Sequence, residues 1–350
     1  MVRLKRNNTS PEVVAVTGAS AGLGRALVER LAARDDLGGL IGLDALPGRV
    51  DGVVWRAIDV RDPMLATRLT GATTIVHLAT SYDLTLRPAT RRAINVRGTS
   101  NVLEAAREVG ARRVVLCTGS EVYGAAPGNP VPLPDASPLA AEPDEISLVG
   151  DLCEVERLAA HAARIGQRVT VLRPAPLVGL PPAYDGQLLR HLAAPRLVAV
   201  RGVEPLWQLC HVEDLVTALE LAALGTISGA FGVGCDGALA QADVEQFAGR
   251  RRWELPASML TSTAARLQRA GVAASPHELD HLLGPLVVAA DGLRAAGWAP
   301  TWTNEKALAA HLAARSDEPR GTAYTAAGAT VALLGTAALV RQARRRRRGL

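Results

Sequence analysis

Between Arg6 and Glu305 the chain has no lysine; of its 39 lysine and arginine residues only Lys5 and Lys306 are lysine. Arginine stays protonated in proteins, so that span offers no ammonium group whose proton affinity its surroundings could tune. Aromatic residues are nearly as scarce, at 3%, which argues against a nucleic-acid surface that stacks bases between cations. The four cysteines, Cys117, Cys153, Cys210 and Cys235, form no Cys-x-x-Cys. Zinc, redox and disulfide motifs are therefore not expected, and the thiols read as small core residues. Residues 1–12 are polar and lack the apolar stretch of a secretory signal, so the body is expected in the cytoplasm.

What is present is 350 residues with 48% hydrophobic content, enough for one large α/β domain and a smaller lobe. The net charge of +5 misleads, because Arg341 and the arginines at 344–348 supply six positive charges in the last ten residues. Without that tail the body is near neutral. Just before it, 321–340 carries no charge. At about 1.5 Å per residue such a helix would just cross a layer of roughly 30 Å. Its seven alanines make it a marginal span, and a helix lying in the plane of an anionic membrane is equally compatible. Membrane association through this apolar helix and the arginines is the expectation.

The apolar run 13–16 leads into Thr17-Gly18-Ala19-Ser20-Ala21-Gly22-Leu23-Gly24, after which Ala26, Leu27, Leu31 and Ala32 recur with helical spacing. That order reads as strand, glycine turn, helix. Further apolar runs at 40–43, 53–58, 74–78, 114–117 and 169–172 alternate with helical stretches such as 90–109 and 147–165. The expected architecture is a doubly wound parallel sheet with helices on both faces. Pro-rich loops are expected at 127–138 and 174–182. The division is a flexible 1–11, a nucleotide-binding domain 12–178, a mostly helical substrate lobe 179–316, the apolar helix 321–340 and the tail 341–350.

A glycine turn lets backbone approach a pyrophosphate, which the free N–H groups of the following helix attract. Asp44 ends the second strand, where a carboxylate accepts both ribose hydroxyls and repels a 2′-phosphate, favouring NAD over NADP. Asp59-Val60 and His77-Leu78-Ala79 end the third and fourth strands and border the adenine and ribose space. The plainer readings are a turn carboxylate for Asp44 and a satisfied core histidine for His77.

These motifs, with Asn95-Val96-x-Gly98-Thr99-x-Asn101, Ser120-Glu121-Val122-Tyr123-Gly124, Leu172-Arg173-Pro174 and His211-Val212-x-Asp214, resemble the extended short-chain dehydrogenase/reductases. That is the NAD-dependent epimerase/dehydratase family, which includes nucleotide-sugar epimerases. The resemblance implies a Rossmann fold and a dinucleotide held by Thr17, Gly18, Ser20, Gly22, Leu23 and Gly24, with Asp44, Asp59, Val60, Leu78, Ala79 and Asn95 around it. It also implies a catalytic tyrosine whose pKa is lowered by a lysine four residues on, one helical turn away. Here those positions are Leu148 and Leu152, and the assisting hydroxyl position is Gly119, flanked by Thr118 and Ser120. Two substrate positions also depart, at Pro176 and Trp207.

Three functions follow as alternatives. The first is a cofactor-binding or sensing protein at the membrane without the tyrosine–lysine chemistry. The second is an active oxidoreductase or nucleotide-sugar epimerase/dehydratase with a replacement acid or base, for which Glu121, Ser120, Tyr123 and Asp151 are candidates, Glu121 foremost because burial can tune a carboxylate. The third is a structural or assembly protein. The expected partners are a dinucleotide and anionic lipid; a homodimer is left open.

Overall fold

A computed structural model describes residues 11–83, 86–140, 147–181, 184, 186–192, 197–256 and 282–316. The expected apolar helix 321–340 and the arginine tail lie outside the described residues, as do residues 1–10. Among the described residues no helix is long and apolar enough to cross a membrane.

The N-terminal part runs β1 (Val13–Thr17), α1 (Gly22–Ala32), β2 (Gly39–Asp44), β3 (Val54–Ala57), α2 (Leu65–Leu69), β4 (Thr74–His77), α3 (Pro88–Arg92), a π-helical turn (Ala93–Arg97), α4 (Gly98–Glu108), β5 (Arg113–Cys117), a 3-10 turn (Ser120–Tyr123), α5 (Leu148–Arg164) and β6 (Arg168–Pro174). The period-2 alternation of the strands decides what each face of the sheet meets. In β1, Val14 and Val16 enter the core under α1, while Ala15 enters the opposite core with Leu103 and Val155. Helix α1 answers with Leu27, Val28 and Leu31, spaced along one face. Ser147 caps α5 by accepting a hydrogen bond from Gly150 N at 2.9 Å.

The lobe follows as β7 (Leu177–Val178), α6 (Gln187–Leu192), β8 (Leu197–Val200), β9 (Leu206–Trp207), β10 (Cys210–His211), α7 (Val212–Leu224), β11 (Gly229–Val233), β12 (Leu239–Ala240), α8 (Gln241–Ala248), β13 (Arg252–Leu255), α9 (Asp291–Ala295) and α10 (Asn304–Ser316). The main sheet has seven strands in the order β11-β6-β5-β4-β1-β2-β3, all parallel. Two elements from beyond residue 178 thus belong to the nucleotide-binding layer rather than to the lobe. Strand β11 pairs with β6 over Gly229–Val233, and α7 packs Leu215 and Leu219 into the core that α1 covers. Among the described residues of the lobe, β8 pairs with β13 and β9 with β12, and Leu189, Trp207 and Leu308 share a small core.

The strand order reverses between β1 and β4. In an open parallel sheet the crevice outside the carboxyl ends of the strands at such a reversal is where ligands bind.

Candidate dinucleotide and substrate cavity

A cavity of about 610 Å³ opens at that point, from the end of β3 across β2, β1, β4 and β5 to β6 and the lobe. Its first half is built by backbone. Gly18 has φ +69°, and a Cβ there would come within 2.8 Å of the backbone at Leu78 and Ala79. A Cβ on Gly24 would lie 2.0 Å from the Gly18 carbonyl oxygen. Both glycines are therefore demanded by close approach of turn, helix and neighbouring strand. The N-cap of α1, Ala21, makes no side-chain cap, and the first turn carries no acidic residue, so its N–H groups are free to meet an anion. The ring of Tyr184 lies against Gly22, where a Cβ would meet its Cε1 at 2.5 Å.

Asp44 does more than close β2. Its Oδ2 accepts hydrogen bonds from Ser20 N (3.1 Å) and Ser20 Oγ (2.7 Å), so the carboxylate holds the glycine turn while still lining the cavity. Asp59 also lines it, paired through both oxygens with Arg61, and the guanidinium holds its carboxyl below the usual range despite burial. Ser20, Leu23, Gly18, Gly24, Val60, Leu78 and Ala79 all reach the cavity wall.

Three residues expected around the dinucleotide do not line the cavity: Thr17, Gly22 and Asn95. Gly22 lies behind Tyr184. Asn95, on the π-helical turn, accepts from Ser81 N at 2.7 Å and donates to Ser81 O at 3.0 Å, fixing the loop after β4. Thr17 belongs to a buried chain. Thr99 Oγ1 donates to Asn95 O at 2.5 Å, so His77 Nε2 donates to Thr99 Oγ1 (3.1 Å) and Thr17 Oγ1 donates to His77 Nδ1 (2.7 Å). Burial pushes His77 down to about 4, consistent with that neutral tautomer. His77 is the satisfied core histidine that its plainer reading describes.

The second half is formed at the ends of β5 and β6. Leu148 stands on the cavity wall and Leu152, one turn later on α5, is completely buried beneath it. Both belong to an apolar cluster with Val149, Val122 and Leu133, against which Tyr82 and Leu286 pack. Of the candidate acids and bases, Glu121 alone lines the cavity. It is partly exposed there, and burial pushes its carboxyl above the ordinary range.

Tyr123, Ser120 and Asp151, also read as candidate acid/base groups, are not among the residues that line the cavity. Tyr123 is tied into the floor: its hydroxyl donates to Asp135 O (3.1 Å) and accepts from Arg173 (2.6 Å), whose guanidinium lies 4.8 Å from the tyrosine ring centre. Arg173 also forks onto Glu156 with two bonds of 2.8 Å, and Glu156 accepts from Thr118 Oγ1 at 2.8 Å. Ser120 Oγ is buried with no hydrogen-bond partner among the described residues. Asp151 is locked by Arg91 (2.9 Å) and Arg92 (3.2 Å) on α3. Sequence reasoning missed Tyr82, which lines the cavity and donates its hydroxyl to Thr118 O. Its one signal was position, four residues after Leu78. Trp207 lies in the lobe core, donating to Gln241 Oε1 at 2.8 Å, whereas Pro176 lines the cavity.

The comparisons with known proteins agree with this geometry. The family model described as NAD dependent epimerase/dehydratase family matches residues 14–230. An uncharacterized protein of Mycobacterium tuberculosis is 34% identical over 256 residues, 69% of this chain; the chain covers 66% of that relative's length. A 3-diazoavenalumate denitrifying reductase from a Streptomyces species is 32% identical over 218 residues, 59% of this chain and 70% of the reductase. Among solved structures, the UDP-glucose 4-epimerase of Thermotoga maritima with UDP-glucose superposes with a TM-score of 0.66 at 19% identity, over 87% of this chain and 100% of the epimerase. MoeE5 in complex with UDP-glucuronic acid and NAD gives 0.65 at 22%, over 87% and 99%.

Proposed function

The chain belongs to the NAD-dependent epimerase/dehydratase family, and we propose that it binds NAD(H) without the tyrosine–lysine proton relay usual there. The observation that carries this reading is the contrast within one cavity. The cradle of Gly18, Gly24 and the uncapped α1 N-terminus is intact, while Leu148 and Leu152 present hydrocarbon where proton transfer would need ionisable atoms. The α1 N–H groups would take the pyrophosphate, Asp44 the ribose hydroxyls, and Val60, Leu78 and Ala79 the adenosine surroundings. The Asp44 carboxylate disfavours a 2′-phosphate, so NAD is preferred over NADP. Once bound, the dinucleotide supplies a hydride donor or acceptor.

Titration calorimetry with NADH, NAD and NADPH tests the reading. We expect NAD(H) to bind at least tenfold more tightly than NADPH, with no hydride exchange to UDP-glucose. Absence of any dinucleotide binding overturns it.

One observation favours a second reading, an active oxidoreductase. Glu121 is a carboxyl group on the cavity wall whose pKa burial raises above the ordinary carboxylate range, which favours its holding a proton to give. The name of the Streptomyces reductase supports the same direction. The tail adds a location to either reading. The uncharged 321–340 segment followed by six arginines would hold the body to an anionic membrane surface. Vesicle flotation of full-length chain and a chain ending at 316 would test that.

A further inference from the structure

The backbone does not ask for glycine at 119. Gly119 has φ −172°, an extended conformation open to any residue. Its lack of a side chain is explained by Glu121 instead: a Cβ on Gly119 would lie 2.0 Å from Glu121 Oε2 and 3.0 Å from its Cδ. The carboxyl of Glu121 thus fills the space that a side chain at 119 would occupy. Residue 119 is where the family resemblance puts the hydroxyl that holds the reacting oxygen, so a carboxyl has taken that hydroxyl's place.

Charge then limits what can lie against it. Among the described lining residues Arg61 is the one cation, at the β3 end of the cavity and paired with Asp59. Apart from Arg61 the described lining carries no cation, and its apolar part includes Tyr82, Leu148, Val149, Leu286, Pro176 and Leu177. Four of these, Tyr82, Leu148, Val149 and Leu286, also belong to or pack against a single apolar cluster. The N-terminus of α5, which could attract an anion, already has Gly150 N bonded to Ser147 Oγ. Against the described lining a nucleoside diphosphate would set its charge beside a carboxyl group with no cation among those residues to offset it, which is costly, whereas an apolar body gains from this wall.

We infer that this half of the cavity takes an uncharged, largely apolar carbonyl or alcohol compound, its oxygen meeting the Glu121 carboxyl, and not a nucleotide sugar. The inference deepens the oxidoreductase reading and rests on the cofactor reading for the other half. In the reducing direction a bound NADH would supply the hydride for the new C–H bond at the carbonyl carbon. The Glu121 proton passes to the carbonyl oxygen, leaving alcohol, NAD and a carboxylate that water reprotonates.

The test uses 4-phenylbutan-2-one labelled with carbon-13 at its carbonyl, against UDP-glucose. NADH binding is titrated first, so that failure of the cofactor reading is seen by itself; the ligand comparison is then run on loaded and unloaded full-length protein. The ketone is expected to bind at least tenfold more tightly than UDP-glucose. Its carbonyl stretch should shift to lower frequency in the wild type, and that shift should disappear in Glu121→Leu and in Gly119→Ala, which displaces the flexible carboxyl without adding a hydroxyl. No binding of the ketone, UDP-glucose binding as tightly, or an unchanged carbonyl frequency in both variants overturns the inference.

Discussion

The two halves of the cavity handle their polar groups in opposite ways. Around β1, β2 and β4 the polar groups face inward and stay available: the α1 N–H groups carry no cap, and Asp44 holds Ser20 while remaining on the cavity wall. Around β5, β6 and α5 the polar side chains, Ser120 and Glu121 apart, are bonded to one another. Arg173, Glu156, Tyr123, Thr118 and Asp135 form a closed network beneath the floor. A residue with chemical potential is thus a structural part when its hydrogen bonds are already made, and Glu121 stands out because its carboxyl meets the cavity instead. The comparison teaches that a family motif such as Arg-Pro can be retained for architecture while the chemistry beside it changes.

The largest expected effect tests that division directly. Arg173→Leu leaves Glu156 buried without its partner, and removing one member of such a pair costs about 3–5 kcal/mol. Urea unfolding should show that loss; if NADH affinity fell while stability held, Arg173 would belong with the binding half. Next, Leu152→Ala empties a completely buried site and should cost about 2–5 kcal/mol, with NADH affinity unchanged within twofold. A marked loss of affinity instead would place Leu152 in contact with the cofactor. Smaller again is Asp44→Ala. Hydrogen bonds to a charged group contribute about 1.5–3 kcal/mol, or roughly 10- to 100-fold in affinity. Because Asp44 also anchors Ser20, Ser20→Ala serves as control and should weaken NADH binding by less; equal losses would mean that the carboxylate acts only through the turn.

Sequence and structure meet closely in the first half and part in the second. The strands β1, β2, β4, β5 and β6 were legible because each is an apolar run buried on both faces, and Gly18, Gly24 and Asp44 because local spacing carries their geometry. Strand β11, Gly-Ala-Phe-Gly-Val, was not: two glycines in five residues give no strand signal, and its partner β6 lies more than fifty residues earlier. The network under the floor draws on four separate segments, so Tyr123 looked free when read along the chain alone. Gly119 was legible as a missing hydroxyl, but its meaning as room for Glu121 required coordinates.

The smallest effect concerns that same carboxyl and is a matter of direction. Burial raises the Glu121 pKa in the folded protein above its value in the unfolded chain. Between those two values the folded state holds the proton and the unfolded state does not, so stability is highest below the unfolded pKa and falls as pH rises through the folded one. Tyr82 and Cys117 face Glu121, and both are raised by burial and by its charge, Cys117 to about 12. They stay neutral through this range and do not offset its charge. Other buried acids with raised pKa, Asp135 and Asp151, are common to wild type and variant and cancel in the difference. Glu121→Gln keeps the shape and removes the titration, so its melting temperature minus that of the wild type should rise from pH 4.5 to pH 8. A difference independent of pH would mean that the carboxyl is as well solvated as an exposed one. The contrast between a spent network and a single available acid would then be lost.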